Sequence, residues 1–273
     1  MIRELLKRKA AIRSSILCTG TTICTPYSRR NRSTVLGIAI LIGVLILFAS
    51  VVTYVADTQS APPPPLLHHT VLLLDRTDPL PPEINALVAS RLERLKQKLP
   101  TGAMLTVAEI NATSGGNLKP LIQLRKPRSI GSMTTENVEK IASDYKQTWE
   151  QRIDALSKQL TTAVTESIET SPIMETTQRL EDLPEYSAAI PRRELIIISD
   201  MLQNSRIVSV YKNELFFSDM QHSIWPDFSN IHVTVYQVTR TTQNNRSKQT
   251  FQLNNFWKDF FLRCGATVEW HIV

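Results

Sequence analysis

The sequence predicts an α/β domain built on a doubly wound, largely parallel sheet with helices on both faces, preceded by one transmembrane helix. Three observations predict it. The runs Thr70–Leu74 (TVLLL) and Glu194–Ser199 (ELIIIS) are continuous apolar stretches, short and without polar alternation, as strands buried on both faces are. Segments with apolar residues at helical spacing lie between such strands, so strand and helix alternate along the chain and imply crossover connections. Upstream stands one uncharged apolar stretch of 21 residues, Val35 to Val55.

The charge locates itself near the amino terminus. Residues 1–34 hold eight of the 31 basic residues and one, Glu4, of the 25 acidic ones, a net of +7. The other 23 basic and 24 acidic residues leave the rest of the chain at −1, so the overall +6 belongs to a tail. Between Arg32 and Asp57 no residue is charged, and Val35–Val55 reads VLGIAILIGVLILFASVVTYV. At about 1.5 Å per residue this stretch spans roughly 31 Å, the thickness of a bilayer's hydrocarbon core. A cleaved signal peptide is the rival reading, but its apolar region is about 7–15 residues and ends in a small-residue cleavage site. This run is longer, and no A-x-A follows it.

The positive-inside rule then makes residues 1–34 a basic cytoplasmic tail and 35–55 a single span through the lipid bilayer. The body lies beyond the inner (cell) membrane, periplasmic if the source is a bacterium. The tail has few aromatics and no base-reading motif, so topology and anionic-lipid contact account for it and no nucleic acid is expected. Three cysteines exclude a disulfide scaffold. Cys18 and Cys24 fall on the cytoplasmic side; Cys264 stands alone beyond the membrane and is expected as a small buried hydrophobe in a helix.

Residues 56–65 end in a run of prolines and read as a semi-rigid linker. The body, 66–273, is long enough for one domain with a substantial core. After the strand at Thr70–Leu74, Pro81 and Pro82 open a helix over Glu83–Leu99, with Ile84, Leu87, Val88, Leu92 and Leu95 on one face. Met104–Ile110 is a second strand and Leu118–Leu124 a short edge strand. Thr134 or Thr135 caps a long polar helix reaching to about Ser167, whose apolar face is Ile141, Tyr145, Trp149, Ile153, Leu156 and Leu160. Tyr145 and Trp149 are assigned to core packing. Glu194–Ser199, Ile231–Val238 and Thr267–Val273 complete the strands, with an aromatic-rich helix at Phe251–Leu262 before the last.

Ligands of such sheets bind at the strands' carboxyl ends. Two apolar strands run into aspartate there: Leu72-Leu73-Leu74 into Asp75-Arg76-Thr77-Asp78-Pro79, and Ile196-Ile197-Ile198-Ser199 into Asp200. Carboxylates and hydroxyls at one sheet edge suit a hard cation such as Mg²⁺; the plainer role is to cap helices and hold turns.

This arrangement resembles the von Willebrand factor A (VWA) domain, a doubly wound, Rossmann-like fold. That family carries a metal-ion-dependent adhesion site that opens with D-x-S-x-S after the first strand. Asp75 and Thr77 match its first two positions, whereas Pro79 replaces the third hydroxyl. Ser171-Pro172-Ile173-Met174-Glu175 is similar to the family's T-P-L-x-E segment and puts Ser171 at the threonine position. Asp200 matches the aspartate after the fourth strand, with Met201 where the family has glycine. The resemblance spans roughly Thr70 to Val273. It implies a metal site of Asp75, Thr77, Ser171 and Asp200 holding Mg²⁺. Apart from the resemblance, Asp78 offers compensation for Pro79, either as a ligand or as a group behind the ligands. Arg76 is the alternative: a cation that neutralises Asp75 or Asp200 and removes the need for metal.

The function expected is a membrane-anchored protein-binding and scaffolding module, not an enzyme, whose strand-end surface engages a protein partner, in an assembly with other envelope proteins. The alternative is a metal-dependent hydrolase or phosphatase using Asp75. Haloacid-dehalogenase phosphatases also place Asp after a first strand but need a second two residues on, where this chain has Thr77. A third reading is an inert structural subunit without metal. No G-x-S-x-G, P-loop or H-E-x-x-H motif occurs. His68 and His69 are adjacent and offer weak metal ligation; His222, His232 and His271 are scattered, the last two within strands.

Overall fold

The computed structural model describes residues 37, 38, 40–48, 50, 65–127, 138–161, 169–183, 185–212, 225–240 and 242–273. The basic tail, most of the linker, the Thr134/Thr135 cap, the end of the helix at Ser167 and His222 lie outside them. The chain divides into two units, Met1–Pro63 and Pro64–Val273.

In the first unit the described residues between 37 and 50 are helical, and their large apolar side chains, from Ile38 to Phe48, are all exposed. The proposed 35–55 span extends beyond the described residues at both ends. Among those described, no helix is long and apolar enough to cross a membrane.

The second unit is built on six strands: β1 (His68–Asp75), β2 (Met104–Ile110), β3 (Pro120–Arg125), β4 (Arg192–Ser199), β5 (Ile231–Gln237) and β6 (Thr267–Ile272). Their order is β3-β2-β1-β4-β5-β6. All neighbours are parallel except β3, which runs antiparallel along β2 with a register shift between Val107 and Ala108. Pro120 opens this edge strand, a position where its missing N–H costs the ladder nothing.

The continuous apolar runs are explained by the two faces of the sheet. On one, Leu72, Leu74, Leu105 and Val107 pack against α1 (Pro82–Lys98), through Ile84, Val88 and Leu92, and against α3 (Gln151–Leu160), through Ile153, Leu156 and Leu160. On the other, Val71, Leu73, Leu195, Ile197, Val233 and Val235 pack against α4 (Ile173–Gln178) and the aromatic face of α6 (Phe251–Arg263), which follows the short α5 (Gln243–Lys248) in the chain: Phe256, Trp257, Phe260 and Phe261. Strand side chains alternate between faces, so both sets of β1 must be apolar. Burial of each aromatic contributes about 2–3 kcal/mol, which makes α6 the main cover of its face.

Local chemistry fixes the helix ends. Pro82 begins α1 at a position whose N–H has no intrahelical partner. At its other end Lys126 Nζ donates to the carbonyls of Lys96 and Gln97, each at 3.0 Å, and Trp149 Nε1 donates to Lys96 O at 3.0 Å. Thr250 caps α6 by accepting from Leu253 N at 3.2 Å. Cys264 follows α6 at its C-cap and is buried, as anticipated; burial, then the charges of Asp227 and Glu181, push its thiol up to about 12.

The long polar helix differs from its expectation. It is broken into α2 (Val138–Tyr145), a π-helical turn at Lys146–Glu150 and α3. The wider turn re-aims the face so that Trp149 is fully buried, in agreement with a packing role. The paired histidines form no metal site. They are consecutive on β1 and face opposite ways: His68 bonds Thr70, while His69 bonds Thr106 and the Glu185 carbonyl and meets Tyr186 edge-on. Burial drops the His69 pKa to about 4. His232 and His271 lie on β5 and β6, satisfied by Thr267 and Glu269.

Candidate functional site

In this order the chain reverses direction of winding between β1 and β4, the crevice where doubly wound folds bind ligands. Leu74 pairs with Ile198, so Asp75 and Ser199-Asp200 emerge side by side. Asp75 is 1% exposed and both its carboxylate oxygens are taken. Oδ1 accepts from Thr77 N at 3.1 Å and Thr77 Oγ1 at 2.7 Å; Oδ2 accepts from Ser171 Oγ at 3.1 Å and Ser199 Oγ at 2.7 Å. Four donors stabilise a carboxylate that burial alone would disfavour.

Ser171 is brought in by an isolated bridge to Asn204, two backbone bonds of 2.8 Å. Beyond it, Gln203 ties the start of α4: its Oε1 accepts from Met174 N at 3.0 Å and its Nε2 donates to Glu175 at 2.8 Å. Gly115 closes against this turn, where a Cβ would lie 2.9 Å from that of Glu175.

Asp200, 4% exposed, does not bond Asp75. Its Oδ1 accepts from Leu202 N at 2.9 Å and its Oδ2 from Arg240 Nε at 2.6 Å. Arg240 also pairs with Asp78 at 3.2 Å through Nη2 and donates to Pro79 O at 3.4 Å through Nη1. Burial, then the charge of Asp75, push the Asp200 carboxyl up to about 6, against the pull of Arg240. Burial opposes the Arg240 charge in turn, but Asp200 and Asp78 outweigh it and hold its pKa above the ordinary value. Gln249 fixes the Arg240 backbone: its Oε1 accepts from Arg240 N, and its Nε2 donates to Asp200 O and Val238 O. Met201 has φ +61°, a left-handed conformation that glycine adopts freely and a longer side chain does not. The turn after β4 is therefore glycine-like although its residue is methionine.

Beside these groups lies a cleft of about 330 Å³ lined by Thr77, Asp78, Glu169, Ser171, Asp200, Leu202, Asn204, Tyr211, Asn244 and Asn245. Tyr211 donates to Asn245 at its rim, and burial, then the charges of Asp200 and Asp78, push its hydroxyl up to about 12.

All four expected site residues thus meet at one place. Asp75, Thr77 and Ser171 share hydrogen bonds, and Asp200 adjoins them. Arg76 does not neutralise either aspartate; it pairs with Glu109 at 2.8 Å, and the cation at the site is Arg240. Ser199, Arg240 and Gln249 were not anticipated. The available signal was position: Ser199 is the hydroxyl beside Asp200, and Arg240 is the first charge after the Ile231–Val238 strand.

The residues present do not fit a divalent cation well. Mg²⁺ needs about six oxygens at roughly 2.0–2.1 Å with free lone pairs. Here Pro79 offers no hydroxyl, Asp75 is saturated by donors, and the free side of Asp200 is held by a guanidinium that has no acceptor and does not deprotonate. A divalent ion about 4 Å from that guanidinium would meet roughly 8 kcal/mol of repulsion at an effective dielectric of about 20. Among the described residues no three His, Cys, Asp or Glu side chains form a metal-holding group.

The sheet order, its single antiparallel edge and the strand-end aspartates are compatible with a VWA-like α/β domain. No protein-family profile and no curated protein matches the chain. Among solved structures, it is similar to an aerotolerance-related membrane protein from Bacteroides fragilis NCTC 9343 carrying multiple mutations to serine. The identity is 11% over 76% of this chain and 91% of that one, with a TM-score of 0.36. It is also similar to the human COPII-coat protein Sec24c, at 10% identity over 76% of this chain and 30% of that one, with a TM-score of 0.35.

Proposed function

We propose that this chain is a single-pass membrane-anchored protein-interaction module, with 1–34 cytoplasmic, 35–55 in the bilayer and the VWA-like domain extracytoplasmic. The domain docks a protein partner on the carboxyl ends of β1 and β4. The observation that carries this reading is the polar cleft at the topological switch point, lined by Thr77, Ser171 and Asp200 above the buried Asp75 and by Tyr211, Asn244 and Asn245. The exposure of the large apolar side chains at Ile38 and within residues 40–48 on helical backbone supports the anchor, since only lipid or protein covers such a surface favourably. The hydrolase alternative is disfavoured by the state of Asp75: a nucleophile needs a free oxygen lone pair aimed at substrate, and both its oxygens accept two bonds each.

A photo-crosslinking side chain placed at Asn244 in the full-length membrane-inserted chain tests the docking face. It is expected to give one discrete adduct that the same probe at Thr101, at the opposite end of the sheet, does not give. Equal labelling from both positions would defeat the proposal. Membrane-impermeant alkylation supplies the topology test: Cys18 and Cys24 should react only when the cytoplasmic side is opened.

A further inference from the structure

The site contains a charge arrangement that neither the docking reading nor the metal expectation uses. Every polar side of the Arg240 guanidinium is directed at one ring of acceptors. Nε donates to Asp200 Oδ2 at 2.6 Å, Nη2 approaches Asp78 Oδ2 at 3.2 Å, and Nη1 donates to the Pro79 carbonyl at 3.4 Å. Two of these acceptors come from the loop after β1 and one from the end of β4. The guanidinium therefore ties together the two strand ends that flank the switch point. Its side chain is 9% exposed and that of Asp200 5%, so the pair is screened little by solvent.

The loss of the third hydroxyl and the arrival of this side chain are complementary. Pro79 supplies no side-chain oxygen, yet its carbonyl is turned inward and accepts from Arg240. Asp78, beside it, faces the same cation. A group that must gather Asp200, Asp78 and the 79 carbonyl around one positive centre is present as part of the chain. Gln249 holds it there through Arg240 N at 2.9 Å and Asp200 O at 3.0 Å.

We propose that Arg240 is a tethered cation that occupies the place of a metal ion, so that the strand-end site is assembled without any divalent cation and removal of Arg240 opens it to one. This concerns what holds the site together, and it stands apart from whether a partner docks there.

The test uses the full-length chain in detergent, with Mn²⁺ as the spectroscopic probe and Mg²⁺ as the competitor. The wild type is expected to leave Mn²⁺ free in solution and to show no change of melting temperature between EDTA and millimolar Mg²⁺. Arg240→Gln keeps a polar side chain but removes the charge, and is expected to take up Mn²⁺ roughly tenfold or more tightly than the wild type, with a melting temperature that rises with metal. Asp200→Asn placed on Arg240→Gln should abolish that uptake. Stoichiometric Mn²⁺ binding by the wild type that Asp200→Asn removes would overturn the proposal. So would a folded Arg240→Gln that takes up no metal, because the guanidinium would then not be what excludes it. If Arg240→Gln folds only when Mn²⁺ is supplied, the proposal is upheld; if it folds under neither condition, the wild-type titration alone decides, binding against and no binding for.

Discussion

Replacing Asp200 by Asn should change the pH dependence of stability in a direction and size set by its surroundings. Burial and the neighbouring Asp75 charge raise its carboxyl from an ordinary 3.8 to about 6. Between those values the folded chain holds a proton that the unfolded chain has released, so stability falls as pH rises from about 4 to about 6 and is level above that. A shift of about two units is worth roughly 3 kcal/mol. Asp200→Asn keeps the shape and cannot titrate, so the stability of wild type minus variant should drop by about 3 kcal/mol between roughly pH 4 and pH 7. The buried His69 varies the other way with pH, but equally in both proteins, and cancels in the difference. Because the Asp75 charge is one cause of the raised Asp200 carboxyl, Asp75→Asn should move the step to lower pH instead of deleting it. Urea unfolding followed by the fluorescence of buried Trp149 and Trp257 measures the difference at each pH. A difference that is flat, or that grows with pH, would refute the account of Asp200 as a desolvated carboxylate beside a like charge.

Three further outcomes are expected. His69 is held neutral with its pKa near 4, below its ordinary 6.5, so stability should fall as pH drops through that window, by up to about 3 kcal/mol; His69→Gln should flatten the loss in acid unfolding curves. Cys264, buried with its thiol pushed up to about 12, should resist iodoacetamide in the native protein and react once urea unfolds it; rapid native alkylation would contradict its placement. Gly115→Ala should cost about 1–3 kcal/mol in denaturant titration because its Cβ would crowd Glu175 and Pro172. Gly116→Ala, with no neighbour nearer than 3.7 Å, is the control and should change stability by less than Gly115→Ala.

The strands of the body were legible because burial on both faces removes polar residues from short segments: β1, β2, β4 and β5 follow their apolar runs to within a residue or two at either end. The aspartates were legible because a charge directly after such a run must lie at the sheet's end. The π turn at Lys146–Glu150 was not legible, since a one-residue widening leaves the helical spacing of Tyr145, Trp149 and Ile153 intact. Nor was Arg240. Its partners lie 40 and more than 160 residues away in sequence, and only the β1-β4-β5 adjacency brings the ends of three strands within reach of one guanidinium. Arg76, which is next to Asp75 in sequence, faces Glu109 because consecutive residues leaving a strand point to opposite sides.

One amide side chain, Gln249, satisfies three backbone groups drawn from the end of β4, the end of β5 and the segment that follows it. A shift of any one of these segments breaks bonds to the others, so the loops at this end of the sheet move together or not at all. For the docking proposed above, a face locked in this way would be preorganised: little ordering entropy would remain to be lost on contact, and the free and bound backbones should superpose closely. Softening the lock with Gln249→Ala should therefore slow formation of the complex more than it weakens the contacts within it, a kinetic signature of rigidity that lies outside the surface the partner touches.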